Sequence, residues 1–240
     1  MVNCAALTNV DDAESDPVGA HAINAVGPAN LADACARVGA RLVHLSTDYV
    51  FSGDGADGVF SGDGARPYEI GDRTGPLSVY GRSKLDGELA VHAVLPDAHV
   101  VRTSWVYTGG GGTDFVAVMR RLAGTDRVID VVDDQTGSPT YAKDLVAALL
   151  QIAGGGIDAP VLHVTNAGTA SRFEQARAVF EELGADPDRV RPVGTAAVPR
   201  PARRPVFSAL SMAESVRAGL TPLRPWREAL AEAVAVPIQQ

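Results

Sequence analysis

The chain has few of the residues that mark disulfide-rich, membrane-spanning or nucleic-acid-binding proteins. It contains two cysteines, Cys4 and Cys35, among 240 residues, too few for a disulfide framework, which favours a reducing cytoplasmic compartment. No apolar run reaches the roughly 18 residues of a membrane span, and no basic-then-apolar leader opens the chain. The formal net charge of -8 argues against nucleic acid or anionic membrane as a nonspecific partner. The composition predicts a soluble globular protein.

Lysine and tyrosine are also scarce, which makes one spacing informative. The chain has two lysines, Lys84 and Lys143, and five tyrosines. Tyr80 stands four residues before Lys84, so both side chains lie on one face of a helix. Random placement would give a tyrosine four residues before a lysine roughly 0.04 times in such a chain. The pair is therefore expected to have a chemical role.

Tyr80 and Lys84, with the hydroxyl of Thr47, supply what a carbonyl reductase needs. Hydride delivery to a ketone creates an alkoxide, which requires a proton and a hydrogen-bond donor. A phenol with a pKa of about 10 donates poorly at neutral pH, but a nearby ammonium group stabilises phenolate. We therefore interpret Tyr80 as the proton donor, Lys84 as the group that lowers its pKa, and Thr47 as a donor to the substrate oxygen. The alternative is an ordinary helix pair beside an N-cap threonine.

Strands and helices alternate through the first two-thirds of the chain, which predicts an α/β fold with a parallel sheet. The reactive hydroxyls then fall at the carboxyl ends of strands, where open α/β sheets bind ligands. Two capping boxes, at 171–174 and 211–214, predict helix starts, and a helix is also expected to begin at Trp226. The predicted strands are 41–46, 98–104, 128–132 and 161–164, and the other predicted helices are 31–38, 80–88, 115–123 and 142–153.

Seven segments carry a family resemblance. They are NCAALTNVD at 3–11, NA at 24–25, LVHLSTDYVF at 42–51, YGRSK at 80–84, RTSWVY at 102–107, VVDDQ at 131–135 and PARRP at 201–205. In this order they resemble the dTDP-4-dehydrorhamnose reductases of the extended short-chain dehydrogenase/reductase superfamily. The resemblance covers nearly the whole chain. It implies a Rossmann-type parallel sheet with a smaller interleaved α/β substrate domain.

The resemblance also implies domain bounds. An NAD(P)-binding domain is expected at 1–104 together with about 142–166, and a substrate-binding domain at 105–141 and 167–240. Relatives begin with a strand, a glycine-rich turn and a helix, and no such glycine pattern follows a strand near the start of this sequence. The sheet is therefore expected to lack its first strands and its glycine-rich loop, from a misplaced start or a gene fragment, with weakened cofactor binding and stability.

The implied reaction is NADPH- or NADH-dependent reduction of the 4-keto group of dTDP-4-dehydro-L-rhamnose to dTDP-L-rhamnose. Dehydratases of the same superfamily usually carry Asp-Glu where this chain has Asp48-Tyr49, which favours a reductase. Two alternatives stay open: another nucleotide-sugar reductase or epimerase, and a non-catalytic sugar-nucleotide-binding or regulatory subunit. The expected partners are a nucleotide sugar and a second copy in a homodimer.

The resemblance assigns the remaining site residues. Lys84 is expected to bind the nicotinamide ribose as well as to assist Tyr80. Arginine pairs match diphosphates through bidentate hydrogen bonds, although a solvated loop is the plain alternative at 201–205. The expected cofactor-binding residues are Ala5, Ala6, Thr8, Ser46, Tyr80, Lys84 and Thr103, and the expected substrate-binding residues are Thr47, Asp48, Tyr49, Trp105, Arg203 and Arg204. Packing is the alternative for Tyr49 and Trp105.

No metal site is expected. The five histidines lack the short spacings of zinc ligands, and His44 and His163 lie in apolar strands, where a packed and hydrogen-bonded histidine is favoured. Asp133 and Asp134 are adjacent in the chain, so their carboxylates point to different faces of a strand. A turn or hydrogen-bonding role is therefore predicted for them.

Overall fold

The structure is a computed structural model that describes residues 1–54, 60–61 and 64–235. The surface excursion predicted at 53–75 lies partly outside the described residues. The strands are β1 (Val2–Asn3), β2 (Val43–Thr47), β3 (Phe60–Ser61), β4 (Gly64–Ala65), β5 (His99–Thr103), β6 (Val106–Tyr107), β7 (Ile129–Val132), β8 (Thr136–Gly137), β9 (Thr140–Tyr141), β10 (Val161–His163), β11 (Ala170–Ser171) and β12 (Val190–Val193).

Each expected helix is present, although the third begins earlier and the fourth ends later than expected, and the first two were not expected. They are α1 (Val10–Ser15), α2 (Pro17–His21), α3 (Gly27–Val38), α4 (Val79–Val94), α5 (Phe115–Ala123), α6 (Ala142–Gly154), α7 (Arg172–Glu182), α8 (Ala213–Arg217) and α9 (Trp226–Ala235). A π-helical turn at Ala22–Val26 joins α2 to α3, and 3₁₀ turns lie at Asp48–Val50, Pro187–Arg189 and Thr195–Ala197. Among these described helices, none is both long and apolar enough to cross a bilayer.

The main sheet has the order β1-β2-β5-β10, and every neighbouring pair is parallel. Successive strand residues point to opposite faces. Leu42 packs with α3 and α4 through Ala32, Cys35 and Val91, whereas the next residue, Val43, packs on the opposite face. That face is covered by α6, through Leu145, Ala148, Leu149 and Ile152. The predicted parallel sheet between helical layers is confirmed.

A second core forms outside the main sheet. It gathers apolar side chains of α5, α7 and α9 around the parallel pair β7 and β12. The largest buried members include Tyr107, Phe180 and Leu230. Its residues come from 107–141 and from 173–234, on either side of the segment that contains α6 and β10. Two separate apolar centres thus lie along one interleaved chain.

Helix ends follow local sequence signals, with one exception. Gly39 ends α3 in the left-handed region with φ of 66°, which glycine adopts without strain. The predicted capping box between Ser171 and Glu174 forms at α7. The capping box predicted from Ser211 is wrong, because α8 begins at Ala213 with no side-chain cap. The Ser211 amide instead donates to the Tyr68 carbonyl at 2.8 Å, so it is not available to the Glu214 side chain.

Two helical glycines give a test of this packing. A Cβ at Gly87 in α4 would lie 2.1 Å from the Asn24 carbonyl oxygen, whereas a Cβ at Gly154 in α6 meets nothing within 4 Å. We expect Gly87→Ala to lower the free energy of unfolding by about 1–3 kcal/mol through overpacking. Gly154→Ala should leave it unchanged or raise it by up to about 1 kcal/mol, since alanine favours helix. Urea unfolding followed by circular dichroism measures both, and equal midpoints would refute the close contact.

Candidate active site

The candidate active site lies at the carboxyl edge of the main sheet. Strand β2 ends at Thr47, β5 ends at Thr103, and the segment 4–9 follows β1. Parallel strands bring these ends together. Helix α4 begins beside them, where Ser78 caps its first turn by accepting a hydrogen bond from the Gly81 amide at 3.1 Å. Tyr80 therefore sits in the first turn of α4, next to the end of β2.

The structure places Thr47, at the end of β2, near enough to Tyr80 to act on the pKa of its phenol. The ring of Tyr49 packs edge-on against the Tyr80 ring, with centroids 6.0 Å apart. Burial raises the pKa of the Tyr80 phenol above its ordinary value; the Thr47 hydrogen bond lowers it, and the charge of Asp48 raises it further. Tyr80 is therefore held as a neutral phenol at physiological pH.

Lys84 lies one turn after Tyr80 but contacts the sheet. Its Nζ donates to the Leu45 carbonyl oxygen at 2.7 Å, and burial lowers its pKa to about 8, against the raising effect of Glu88. Burial is the largest influence on the pKa of Tyr80, and the expectation that Lys84 lowers it stays a prediction. An ammonium group has three donors, and one of them is used by Leu45.

A buried ion pair supports this end of the sheet. Arg102 donates to Glu88 from Nε at 3.0 Å and from Nη2 at 2.8 Å, and its guanidinium lies 5.1 Å from the centre of the Phe51 ring. Ser46, expected at the cofactor, donates to the same Glu88 carboxylate at 2.5 Å. The Ser46 hydroxyl thus helps to satisfy a buried charge.

Asp48 is buried among hydroxyl groups. Its side chain receives hydrogen bonds from Thr47 at 3.0 Å, Ser104 at 3.0 Å and Ser208 at 2.5 Å. Burial raises the pKa of Asp48 to about 6, although these three hydroxyls lower it. Asp48 is only 2 % exposed, and both of its oxygens accept hydrogen bonds. The direct substrate contact expected from the sequence stays a prediction.

Trp105 has an unusual backbone and a charged partner. Its φ is 49°, the one positive value recorded for a described residue other than glycine. The Arg172 guanidinium lies 3.6 Å from the centre of the Trp105 ring, a cation–π distance. A Cβ at Gly137 would lie 2.5 Å from the indole, so only glycine leaves room for the ring there. A positive φ at a residue other than glycine is a backbone strain that is often found at functional sites.

Arg172 is the residue that the sequence interpretation missed. It follows the N-cap residue Ser171 and is the first residue of α7. A cation at that position opposes the positive end of the helix dipole. Such a violation of a local rule is a signal for function, and it could have drawn attention to Arg172.

A cleft of about 590 Å³ lies next to Tyr49, within the usual range for small-molecule sites. Apolar and cationic side chains share its walls. Its lining comprises Val10, Tyr49, Thr113, Phe115, Val118, Met119, Asp130, Val131, Val132, Gln135, Arg172, Val198, Arg200 and Arg204.

The two adjacent arginines of the PARRP segment have different positions. Arg204 lines the cleft and binds Asp11 with two hydrogen bonds, at 2.6 and 2.9 Å. Arg200 also reaches Asp11, at 3.4 Å, and these contacts, chiefly the one from Arg204, lower the pKa of Asp11 to about 2. Arg203 is 67 % exposed, is absent from the cleft lining, and faces Asp54 at 3.9 Å.

The remaining expected cofactor residues lie around the end of β1 and β5. Ala5 and Thr8 are exposed and Ala6 is half-buried in the segment after β1. Asn24 holds that segment by pairing with both the amide and the carbonyl of Leu7, at 2.8 and 3.0 Å. The Thr103 hydroxyl is buried, and it has no hydrogen-bond partner among the described residues. A buried hydroxyl of this kind is expected to have a partner in the working protein.

The other polar residues noted in the sequence have structural roles. Asp133 accepts a hydrogen bond from Ser171 at 2.6 Å, and Asp134 accepts from the Thr195 amide and hydroxyl, as the turn interpretation predicted. His44 and His163 are fully buried, as predicted, and burial lowers the pKa of each to about 3. Each has one ring nitrogen without a partner in the described part of the chain, so the predicted hydrogen bonding is only half met.

Within residues 1–54, 60–61 and 64–235, no three His, Cys, Asp or Glu side chains are grouped as a metal ion would require.

The fold and the site together define a class, the extended short-chain dehydrogenases and reductases. Its features here are a parallel sheet, a helix with Tyr-x-x-x-Lys, and a hydroxyl at the end of a neighbouring strand. The profile of the RmlD substrate binding domain matches residues 1–237. The chain therefore belongs to the RmlD family.

Two mycobacterial relatives and one solved structure share a name. The chain is 60 % identical over 235 residues to a dTDP-4-dehydrorhamnose reductase of Mycolicibacterium smegmatis, covering 98 % of this chain and 69 % of that protein. It is 62 % identical over 239 residues to that of Mycobacterium tuberculosis, covering 99 % and 76 %. A crystal structure of the Bacillus anthracis dTDP-4-dehydrorhamnose reductase in complex with NADP superposes with a TM-score of 0.88 at 36 % identity, covering 98 % and 79 %.

The buried Asp48 carboxylate makes a prediction about stability and pH. Its pKa is higher in the folded state, so the folded state binds more protons between about pH 4 and 6, and stability falls as pH rises through that window. The cost, up to about 3 kcal/mol from a shift of roughly two units, is fully present above pH 6. Asp48→Asn should therefore raise the free energy of unfolding relative to the natural chain, and this gain should be about 1–3 kcal/mol larger at about pH 7.5 than at about pH 4.5. Urea unfolding at both pH values measures this.

The control is Asp33→Asn, which removes a half-exposed carboxylate of α3 that pairs with Arg37. It should show no comparable difference between the two pH values. The same stability gain for Asp48→Asn at both pH values would mean that the Asp48 carboxylate does not titrate in this window.

Proposed function

We propose that this chain carries out the NADPH- or NADH-dependent reduction of the 4-keto group of dTDP-4-dehydro-L-rhamnose, which yields dTDP-L-rhamnose. The observation that carries the proposal is the placement of Tyr80, one helical turn before Lys84, against Tyr49 in the wall of a cleft with three arginines. The names of the mycobacterial relatives support the substrate, and the NADP complex of the Bacillus anthracis enzyme supports the cofactor.

The residues at the strand ends fit a nicotinamide cofactor, which supplies the hydride when bound. Two observations support the fit. Thr103 has a buried hydroxyl without a described partner, and Lys84 uses one of its three donors on Leu45. Lys84 would bind ribose hydroxyls, while the small residues Ala5 and Ala6, with Thr8, would let the backbone after β1 approach the cofactor.

The Tyr80 phenol is the proton donor in this proposal. A general acid must hold its proton until the transition state, and the raised pKa of Tyr80 ensures that it does. The proton passes from the phenol oxygen to the oxygen that was the keto group, as negative charge develops there. Thr47 is the polar neighbour that remains beside the phenolate oxygen.

The cleft residues would hold the nucleotide sugar. Guanidinium groups match diphosphate oxygens in pairs, so Arg200 and Arg204 are assigned to the diphosphate. Tyr49 and Trp105 are assigned to the sugar, with Arg172 over the indole face. The homodimer and the cytoplasmic location expected from the sequence stay predictions.

The first prediction of this proposal concerns the phenol. Tyr80→Phe should lower kcat for dTDP-4-dehydro-L-rhamnose by about 100-fold or more, because it removes the acid of the proton-transfer step. Binding of NADPH, measured by fluorescence titration, should change less than about twofold. Tyr107→Phe is the matched control, since Tyr107 is also buried but lies in the second core. Natural turnover by Tyr80→Phe across pH 6 to 9 would exclude this phenol as the donor.

The second prediction separates the two neighbouring arginines. Arg204→Ala should weaken dTDP binding about tenfold or more, because a guanidinium bound in pairs to a phosphate is lost. Arg203→Ala should change it less than about twofold, since Arg203 faces Asp54 away from the cleft lining. Isothermal titration of dTDP measures both without requiring turnover. Equal losses in the two variants would contradict the assignment of Arg204 to the diphosphate.

A further inference from the structure

Arg172 differs from four other arginines that lie over aromatic rings. Its guanidinium carbon lies 3.6 Å from the centre of the Trp105 ring and 4.9 Å from that of Phe115. Its Nη1 donates to the neutral Oε1 of Gln175 at 3.2 Å, and no carboxylate pairs with it among the described residues. Arg172 thus keeps a positive charge that no described side chain neutralises. The four others each have a carboxylate partner: Arg102, Arg177, Arg224 and Arg227.

The guanidinium of Arg172 is open to the cleft. It is part of the cleft lining, and it uses one of its five N–H donors on Gln175. Two features make its charge costly. Burial lowers the pKa of Arg172 to about 10, and its position at the start of α7 opposes the helix dipole. A negatively charged ligand in the cleft would relieve both costs.

The two other arginines of the cleft already have a counterion. Arg204 holds Asp11 through two hydrogen bonds, at 2.6 and 2.9 Å, and Arg200 reaches the same carboxylate at 3.4 Å. An anion that binds Arg204 must therefore compete with Asp11, whereas an anion that binds Arg172 competes with no described carboxylate. Binding at Arg172 adds an ion pair, and binding at Arg204 exchanges one ion pair for another.

We propose that Arg172 binds the phosphate group bonded to the sugar of the nucleotide-sugar substrate, while Arg200 and Arg204 hold the phosphate next to the nucleoside. This inference rests on the proposed function, which assigns Trp105 to the sugar. Because Arg172 stacks on Trp105, the phosphate that it holds is the one nearest the sugar. A planar guanidinium matches two phosphate oxygens, and the rings of Trp105 and Phe115 fix its plane. Arg172 is thus a specificity residue, because a nucleoside monophosphate lacks the group that it binds.

The test compares dTDP, which carries the second phosphate, with dTMP, which lacks it, by isothermal titration of the 240-residue chain. Arg172→Met should weaken dTDP binding about tenfold or more and dTMP binding less than about twofold, because only dTDP reaches Arg172. Arg172→Lys, which keeps the charge, should weaken dTDP binding less than Arg172→Met does. Arg227→Met is the matched control, since Arg227 lies over Trp226 and pairs with Glu181 outside the cleft lining. It should leave both affinities unchanged.

A fluorescence measurement tests the same contact without changing Arg172. In Trp226→Phe the one remaining tryptophan is Trp105, and its emission should respond more to dTDP than to dTMP, because dTDP engages the guanidinium stacked on it. An equal response to the two nucleotides would overturn the proposal.

Two titration results would also overturn it. One is a natural chain that does not bind dTDP, and the other is an equal loss of dTDP and dTMP binding in Arg172→Met, which would mean that Arg172 only supports the cleft. If Arg172→Met does not fold, Arg172→Gln supplies the neutral variant. None of these measurements requires turnover, so they are separate from a failure of the reductase assay.

Discussion

The burial of one carboxylate group, that of Asp48, constrains the rest of the active site. Hydroxyls from three segments that are distant in the chain meet on it: Thr47 at the end of β2, Ser104 after β5, and Ser208 more than a hundred residues later. A buried charge is tolerated only where hydrogen bonds replace water. The three segments must therefore stay together for the carboxylate to be hydrogen-bonded, and this requirement connects the ends of β2 and β5 to the segment around 208.

A second buried carboxylate lies nearby in a different environment. Glu88 faces the cations Arg102 and Lys84 and the hydroxyl of Ser46, whereas Asp48 faces mainly neutral hydroxyls. Two acids of similar intrinsic strength are thus given different tasks by their neighbours. Glu88 pairs with the charge of Arg102 beneath the site. The pKa of Asp48, raised to about 6, lets its charge respond to pH.

Local patterns in the sequence were sufficient for much of the fold and for the central pair. The spacing of Tyr80 and Lys84 placed both on one helix, and the alternation of strands and helices predicted the parallel sheet, because these signals act over a few residues. The same reasoning did not reveal that burial raises the pKa of the Tyr80 phenol, since burial depends on residues from the whole chain. Nor did it distinguish Arg203 from Arg204, which are adjacent in sequence but face different partners.

Long-range contacts account for the other differences. The capping box expected at Ser211 does not form because Tyr68, far away in the chain, pairs with its backbone. Arg172 was missed because its partner Trp105 lies 67 positions earlier in the chain. Only the unfavourable placement of a cation at a helix start hinted at it. A conflict of this kind between local preference and position is a reason to examine a residue for function.

The ion pair between Asp11 and Arg204 has a consequence for recognition. The guanidinium already holds a carboxylate through two hydrogen bonds, so an incoming anion must exchange with that internal counterion. The affinity of the anion then depends on how much more strongly Arg204 binds it than it binds Asp11. A ligand with a single negative charge gains little from the exchange, whereas one that carries two can engage Arg204 and its neighbour Arg200 together. Under the proposed function, this ion pair would favour ligands with two negative charges over ligands with one.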